Sequence, residues 1–272
     1  MKIIRQKKDL QKIINKIKTF SFVPTMGGLH KGHEILIKRA KKRNSNILVS
    51  IFVNPKQFNS RKDFKSYPRN FKKDVKILKK LKVKYLYCPN YKDIFSFKTN
   101  NKIYMHWFSK RLCGKHRPGH FKGVLDVVNR LLEIIKPKYI FLGKKDFQQL
   151  TLIKKHIKKN NIKTSIISCN TLRDKNFLPY SSRNINLNKS NKKLASIVFN
   201  TIKNEKILIK RKKMQDINFS SLKRKILKLG VKKIDYIESI NLDNLKRAKK
   251  YNENFNIFSA FFINNVRLID NF

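Results

Sequence analysis

The chain is expected to fold as an α/β domain built on a parallel, Rossmann-like sheet, followed by a smaller α+β domain. Three observations carry this expectation. Apolar runs rich in β-branched and aromatic residues alternate with longer segments of helical period, the order that crossover units impose. Glycine-bearing turns stand where predicted strands give way to helices, at Met26–Gly32 and at Gly143. After about Leu172 the texture changes to two helical segments followed by three short strand-like runs. The two domains are therefore placed at residues 1–172 and 173–272.

In order, the predicted strands of the first domain are Thr19–Pro24, Asn46–Val53, Tyr85–Cys88, Tyr139–Leu142 and Ile162–Cys169. Its predicted helices are Lys31–Arg43, Asn70–Lys82, His120–Ile135 and Asp146–Lys159. Ile35, Leu36 and Ala40 share a face of the first helix, and Val124, Val127, Val128, Leu131 and Ile135 share one of the third. Pro137 stops that third helix. Beyond the joint at Leu172–Asn188, helices are expected at Asn188–Ile209 and Ser220–Leu229, and strands at Ile234–Ile240, Asn256–Ile263 and Val266–Ile269.

Composition bounds the function. With 272 residues and 40% hydrophobic content, the chain can bury a real core. Its N-terminal stretch scatters charges and lacks the apolar centre of a signal peptide, and no run is long enough to span a bilayer. A cytoplasmic protein without a membrane partner is expected. Cys88, Cys113 and Cys169 are far apart and form no CxxC pair, which argues for free buried thiols over a disulfide framework or a structural zinc site. The net charge of +50 invites a nucleic-acid reading. Yet the lysines lie in nearly every segment, and abundant Asn, Ile and Phe beside scarce Gly and Pro suit an A/T-rich coding bias. Neither a localised basic stripe nor an RNP1-type motif is present, so no specific nucleic-acid partner is expected.

Four stretches carry chemistry. Phe20–Leu36 (FSFVPTMGGLHKGHEIL) runs from a strand through a Gly-Gly turn into a helix opened by His30-Lys31-Gly32-His33. Amides at such a helix start suit a phosphate, and two imidazoles three residues apart can donate to developing phosphoryl charge. Gly27, Gly28 and Gly32 permit left-handed backbone and close approach of a ligand. Neither GxxxxGK[ST] nor GxGxxG occurs. Val49–Phe58 (VSIFVNPKQF) places Gln57 at a strand's carboxyl end, and Asp63–Arg69 (DFKSYPR) with Asp74 offers groups that suit phosphate or magnesium. Arg117–Val124 (RPGHFKGV) precedes Gly143–Gln149 (GKKDFQQ), where Lys145 offers a charge for phosphate and Asp146 can cap a helix or hold a ribose. Leu178–Asn184 (LPYSSRN) sets two hydroxyls and Arg183 in the joint between domains.

PTMGGLHKGH, VSIFVNPKQF, DFKSYPR, RPGHFKGV, GKKDFQQ and SSRN stand in the order and approximate spacing of the pantothenate synthetase (pantoate–β-alanine ligase) family. The chain resembles that family from Phe20 to Asn184, and IDYIESI (Ile234–Ile240) resembles its C-terminal domain. The resemblance implies an HxGH nucleotidylyltransferase sheet of the HUP/HIGH type. It also implies ligation of pantoate to β-alanine through a pantoyl adenylate, with ATP as substrate, Mg²⁺, and a homodimer. Carried over by position, His33 would be the proton donor, with His30 and Lys145 beside it on the phosphates. ATP would meet Met26, Gly27, Gly28, Leu29, His30, Lys31, Gly32 and His33, then Gly143, Lys144, Lys145 and Asp146. Leu172, Tyr180, Ser181, Ser182 and Arg183 would complete its site. Gln57 and Gln149 would hold pantoate, Gln57 would also reach β-alanine, and Asp74 would touch magnesium. Two departures stand out. Gly27-Gly28 replaces the usual Gly-Ala, and RDKNFLPY (Arg173–Tyr180) replaces a READGLAM-like run, putting Phe177 where a glycine is expected.

Overall fold

The computed structural model describes residues 1–17 and 19–272. Two compact units emerge: Met1–Lys110 with Arg117–Leu172, and Arg111–His116 with Arg173–Phe272. The short Arg111–His116 segment thus joins the second unit, although the reading from sequence kept it in the first.

The first unit begins with β1 (Lys2–Ile4), α1 (Lys7–Ile14), β2 (Ser21–Thr25), α2 (Lys31–Arg43) and β3 (Ile47–Ile51). It continues through α3 (Arg61–Ser66), α4 (Phe71–Lys80), β4 (Tyr85–Tyr87) and α5 (Tyr91–Phe95). After α6 (Cys113–His116), which belongs to the second unit, come α7 (His120–Ile135), β5 (Tyr139–Gly143), α8 (Phe147–Lys159) and β6 (Ser165–Cys169). All pairings are parallel, in the order β1-β4-β3-β2-β5-β6. The chain leaves β2 toward β3 on one side and returns to lay β5 on the other. Between the carboxyl ends of β2 and β5 the order reverses, which opens the crevice where ligands of such sheets bind.

Burial explains why these segments form these elements. One face of the sheet packs Val23, Val49, Leu86 and Phe141 against Leu29, Ile37 and Ala40 of the β2–α2 stretch and Leu78 of α4. Helix α7 buries far more than the predicted stripe, adding Phe121, Leu125, Leu132 and Ile134, because it packs against α1, α5 and α8. A helix apolar nearly all round is a central one. It ends at Lys136 in left-handed conformation, one residue before Pro137. Strand β1 and helix α1 were missed from sequence. Both are short, and β1 shows no alternation of apolar and polar residues to read.

The second unit contains α9 (Lys189–Arg211), α10 (Ser220–Lys228) and an antiparallel sheet β7-β8-β9 (Lys233–Asn241, Phe255–Ile263, Val266–Asn271). Ala195, Val198, Phe199 and Ile202 of α9 meet Ile257 and Phe261 of β8 in its core, with Leu222 and Ile226 of α10. The Arg173–Pro179 bridge closes a tight turn in which Asp174 accepts from the Asn176 and Leu178 amides. Phe177 occupies that turn at φ 72°, the left-handed backbone that glycine adopts without cost. Its ring offsets the strain by stacking with Phe272, while the Arg173 guanidinium lies 4.2 Å from one ring centroid and 4.9 Å from the other. Arg173 is anchored in turn by an ion pair to Asp270. Among the described residues no helix is long and apolar enough to cross a membrane. Cys113 and Cys169 are buried and Cys88 is half-buried, and none of the three forms a disulfide among the described residues.

Candidate active site

The β2–α2 turn is organised from within. Gly27 and Gly28 take φ of +76° and +61°, and a Cβ on Gly27 would come within 3.0 Å of an Asp74 oxygen. Gly32 has no positive φ and sits in the first turn of α2. The Gly27 amide donates to Thr25 Oγ1, whose hydroxyl donates to the Ser50 carbonyl at 2.7 Å. The Gly28 and Leu29 amides donate to the two oxygens of Asp74 at 2.9 and 2.8 Å. His30 caps α2: its Nδ1 accepts from the Gly32 amide at 3.1 Å, and its own amide donates to His33 Nδ1 at 3.4 Å. Five amides expected to face an anion are therefore used inside the turn. Leu29, assigned to the ATP wall from sequence, instead sends its side chain into the core.

This arrangement fixes the chemistry of the histidines. Each Nδ1 is an acceptor, so the proton of each neutral ring lies on Nε2, which is then a hydrogen-bond donor. The rings lie 4.0 Å apart at 39°. Burial, then the neighbouring His33 and Lys145, push His30 down to about 2. Burial pushes His33 down to about 4, with Lys145 lowering it further and Asp146 opposing. Both rings are neutral at pH 7. A consequence follows for stability. The unfolded chain takes up protons near pH 6.5 and the folded chain does not, so stability falls as pH drops below about 6.5, down to about 4 for His33 and toward 2 for His30. Between pH 7.5 and pH 5 the loss is up to about 2 kcal/mol per imidazole. Urea unfolding at pH 7.5 and pH 5 should show it, and a His30→Gln/His33→Gln variant should show less. An equal pH dependence in that variant would contradict the assignment.

Across the crevice, β5 ends at Gly143 and a 3₁₀ turn carries Lys144, Lys145 and Asp146 into α8. Lys145 Nζ lies 3.4 Å from Asp146, which makes no capping hydrogen bond to α8. Of the adjacent glutamines, Gln148 is buried and donates to the Phe108 carbonyl at 2.7 Å, leaving half-buried Gln149 as the one suited to a ligand. On the β3 side, the Asn54 side chain is fully buried, caps the turn Pro55–Gln57 through the Lys56 amide, and donates to the Gly123 carbonyl. Gln57 is buried against the Met26 sulfur.

The family model for pantoate–β-alanine ligase matches residues 2–272. The chain belongs to the pantoate–β-alanine ligase family. It is 38% identical over 266 residues to pantothenate synthetase of Flavobacterium psychrophilum, covering 96% of this chain and 94% of the relative. It is 40% identical over 272 residues to that of Francisella philomiragia, covering 100% and 95%. Among solved structures, it resembles pantoate–β-alanine ligase from Francisella tularensis complexed with beta-gamma ATP and β-alanine. That likeness has a TM-score of 0.84 and 40% identity over 100% of this chain and 97% of that one. Pantothenate synthetase from Thermus thermophilus aligns with a TM-score of 0.85 at 27% identity, over 100% and 99%. The fold class inferred from sequence is that of these ligases.

Within this ligase the first unit brings Met26, the two histidines, Lys145, Asp146 and Gln57 to the carboxyl edge of its sheet. Tyr180–Arg183 and Leu172 were also expected at the ATP site. Leu172 closes the first unit, while Tyr180–Arg183 lie in the second, where Ser181 caps the short turn Ser182–Asn186. Asp74, expected at magnesium, clamps the β2–α2 turn. It is 2% exposed, with each carboxylate oxygen held by a backbone amide. Arg69 likewise closes helix α3, donating to the carbonyls of Phe64, Lys65 and Tyr67. Sequence reasoning overlooked Asn54 and the clamp that Arg117 and His120 place on Gln57. The nearest sequence signal was RPGHF, whose partner lies some sixty positions upstream.

Proposed function

We propose that this chain joins pantoate to β-alanine in two steps on ATP. The pantoate carboxylate attacks the α-phosphate, forming pantoyl adenylate and releasing pyrophosphate. The β-alanine amine then attacks the acyl carbon, the amide bond forms, and AMP leaves. The observation that carries this reading is the pair of neutral imidazoles with Nε2–H donors, beside Lys145 at the β2–β5 crevice. Preorganised donors and one fixed cation in a half-buried site suit the charge that develops during adenylate formation. On this reading His33 donates a hydrogen bond as a neutral ring, since its lowered pKa leaves no spare proton at pH 7.

Gln57 and Gln149 hold pantoate, and Gln57 also reaches β-alanine. Met26–His33 and Gly143–Asp146 line the nucleotide, with Leu29 acting through the shape of the turn. Leu172, Tyr180, Ser181, Ser182 and Arg183 complete its site by family position. Magnesium arrives with ATP as part of the substrate, because Asp74 is already engaged. The Francisella tularensis complex supports both ATP and β-alanine as substrates. A cytoplasmic homodimer is the proposed working form.

The two-step order is tested by isotope exchange. Labelled pyrophosphate should enter ATP when enzyme, Mg·ATP and pantoate are mixed without β-alanine, and omitting pantoate should abolish the exchange. A ligase working through an acyl phosphate would release ADP instead. Production of ADP, or exchange that begins only when β-alanine is added, would overturn the proposal.

A further inference from the structure

The turn Pro55–Gln57 is held from outside by the start of α7. The Gln57 carbonyl receives His120 Nδ1 at 2.7 Å and Arg117 Nη2 at 3.2 Å. A carbonyl oxygen only accepts, so His120 carries its proton on Nδ1. Its Nε2 then presents a lone pair to Arg117 Nη1 at 3.1 Å, and the guanidinium in turn lies 3.9 Å from Asp63. The two contacts specify one neutral tautomer, the opposite of that in His30 and His33. One turn further along α7, Gly123 lies so close to the Lys56 backbone that an added Cβ would stand 2.3 Å from its carbonyl oxygen. Asn54 Nδ2 bridges the same two segments, reaching the Gly123 carbonyl at 3.0 Å and Gln57 Oε1 at 3.4 Å. The backbone of Gln57 is thus located by a tautomer-specific hydrogen bond and a glycine-only contact, both from residues more than sixty positions away.

We propose that His120 is a positioning residue that sets the Gln57 carboxamide for the two small substrates. The proposal rests on the reading that Gln57 holds pantoate and β-alanine. His120 is buried and bonds the backbone, so its effect passes through Gln57. Losing a buried hydrogen bond that orients a binding group should register in the affinity for those substrates and spare the nucleotide.

The experiment compares H120A, H120N, H120Q and Q57A by steady-state kinetics with each substrate varied in turn. Asparagine can place an N–H near the position of Nδ1, whereas glutamine places its amide near Nε2. H120A should raise KM for pantoate and β-alanine about tenfold and leave KM for ATP within about twofold. H120N should recover most of the loss and H120Q should not. H120A/Q57A should be no worse than Q57A alone. If H120A does not fold, the contrast between H120N and H120Q decides alone. Three outcomes overturn the proposal: KM values unchanged in H120A while Q57A raises them, equal losses for all three substrates, or equal behaviour of H120N and H120Q. A Q57A enzyme with unaltered KM for pantoate and β-alanine would instead refute the Gln57 reading itself, and the proposal with it.

Discussion

His33→Ala slows adenylate formation by about a hundredfold or more, the scale for removing one preorganised donor to transition-state charge. The ring is half-buried, and its Nδ1 is engaged by the His30 amide, so Nε2–H needs no reorganisation when charge develops. Removing it costs stability as well, since the His30 amide loses its partner, by about 1 kcal/mol. A single-turnover quench that measures pantoyl adenylate separates the two effects, because a modest stability loss leaves the folded fraction intact. His33→Gln discriminates between roles. A glutamine amide can place a neutral donor near Nε2, so it should recover part of the rate if His33 donates a hydrogen bond. If His33 must transfer a proton, glutamine should be as poor as alanine. Adenylate formation at a near-normal rate in the alanine variant would remove His33 from the mechanism.

Asp74→Ala has the second largest expected effect. The carboxylate is buried and takes the Gly28 and Leu29 amides on separate oxygens, so truncation removes both hydrogen bonds. Each lost bond costs about 1–3 kcal/mol, and the variant should lose about 2–6 kcal/mol in urea unfolding. Asp74→Asn should fall between, since its amide can satisfy only one of the two donors. Burial raises the carboxyl pKa while the Leu29 and Gly28 amides and Lys73 oppose that rise. Because Asp74 shapes the turn that carries His30 and His33, activity should drop with the loss of turn geometry. The concentration of magnesium needed for half-maximal rate should stay that of the wild type. A variant that keeps its stability but demands more magnesium would restore Asp74 as a metal ligand.

Much of this was readable from residue order. The alternation of β-branched runs with helical periods yielded five strands of the parallel sheet and its main helices, because burial on both faces leaves a continuous apolar signature. RDKNFLPY sets Phe177 where the family carries a glycine, and only the structure shows that this residue takes left-handed backbone, with Phe272 and Arg173 stacked beside its ring. The six motifs announced the family, because a reaction restricts which polar groups can stand at strand ends. The identity and order of those groups were determined by the sequence alone.

What each group does was decided by the fold. Asp74 lies forty-five and forty-six positions from the amides it holds, and that contact turns an expected metal ligand into the clamp of a turn. Gln148 and Gln149 are neighbours in sequence, yet packing against Phe108 buries the first and leaves the second half-exposed. The histidines of one chain hold opposite tautomers, because His30 and His33 meet amide donors whereas His120 meets a carbonyl. A side chain's protonation and its partner depend on groups that only tertiary contact brings within hydrogen-bond reach, so the roles of Asp74, Gln148 and His120 could not be read from their order along the chain.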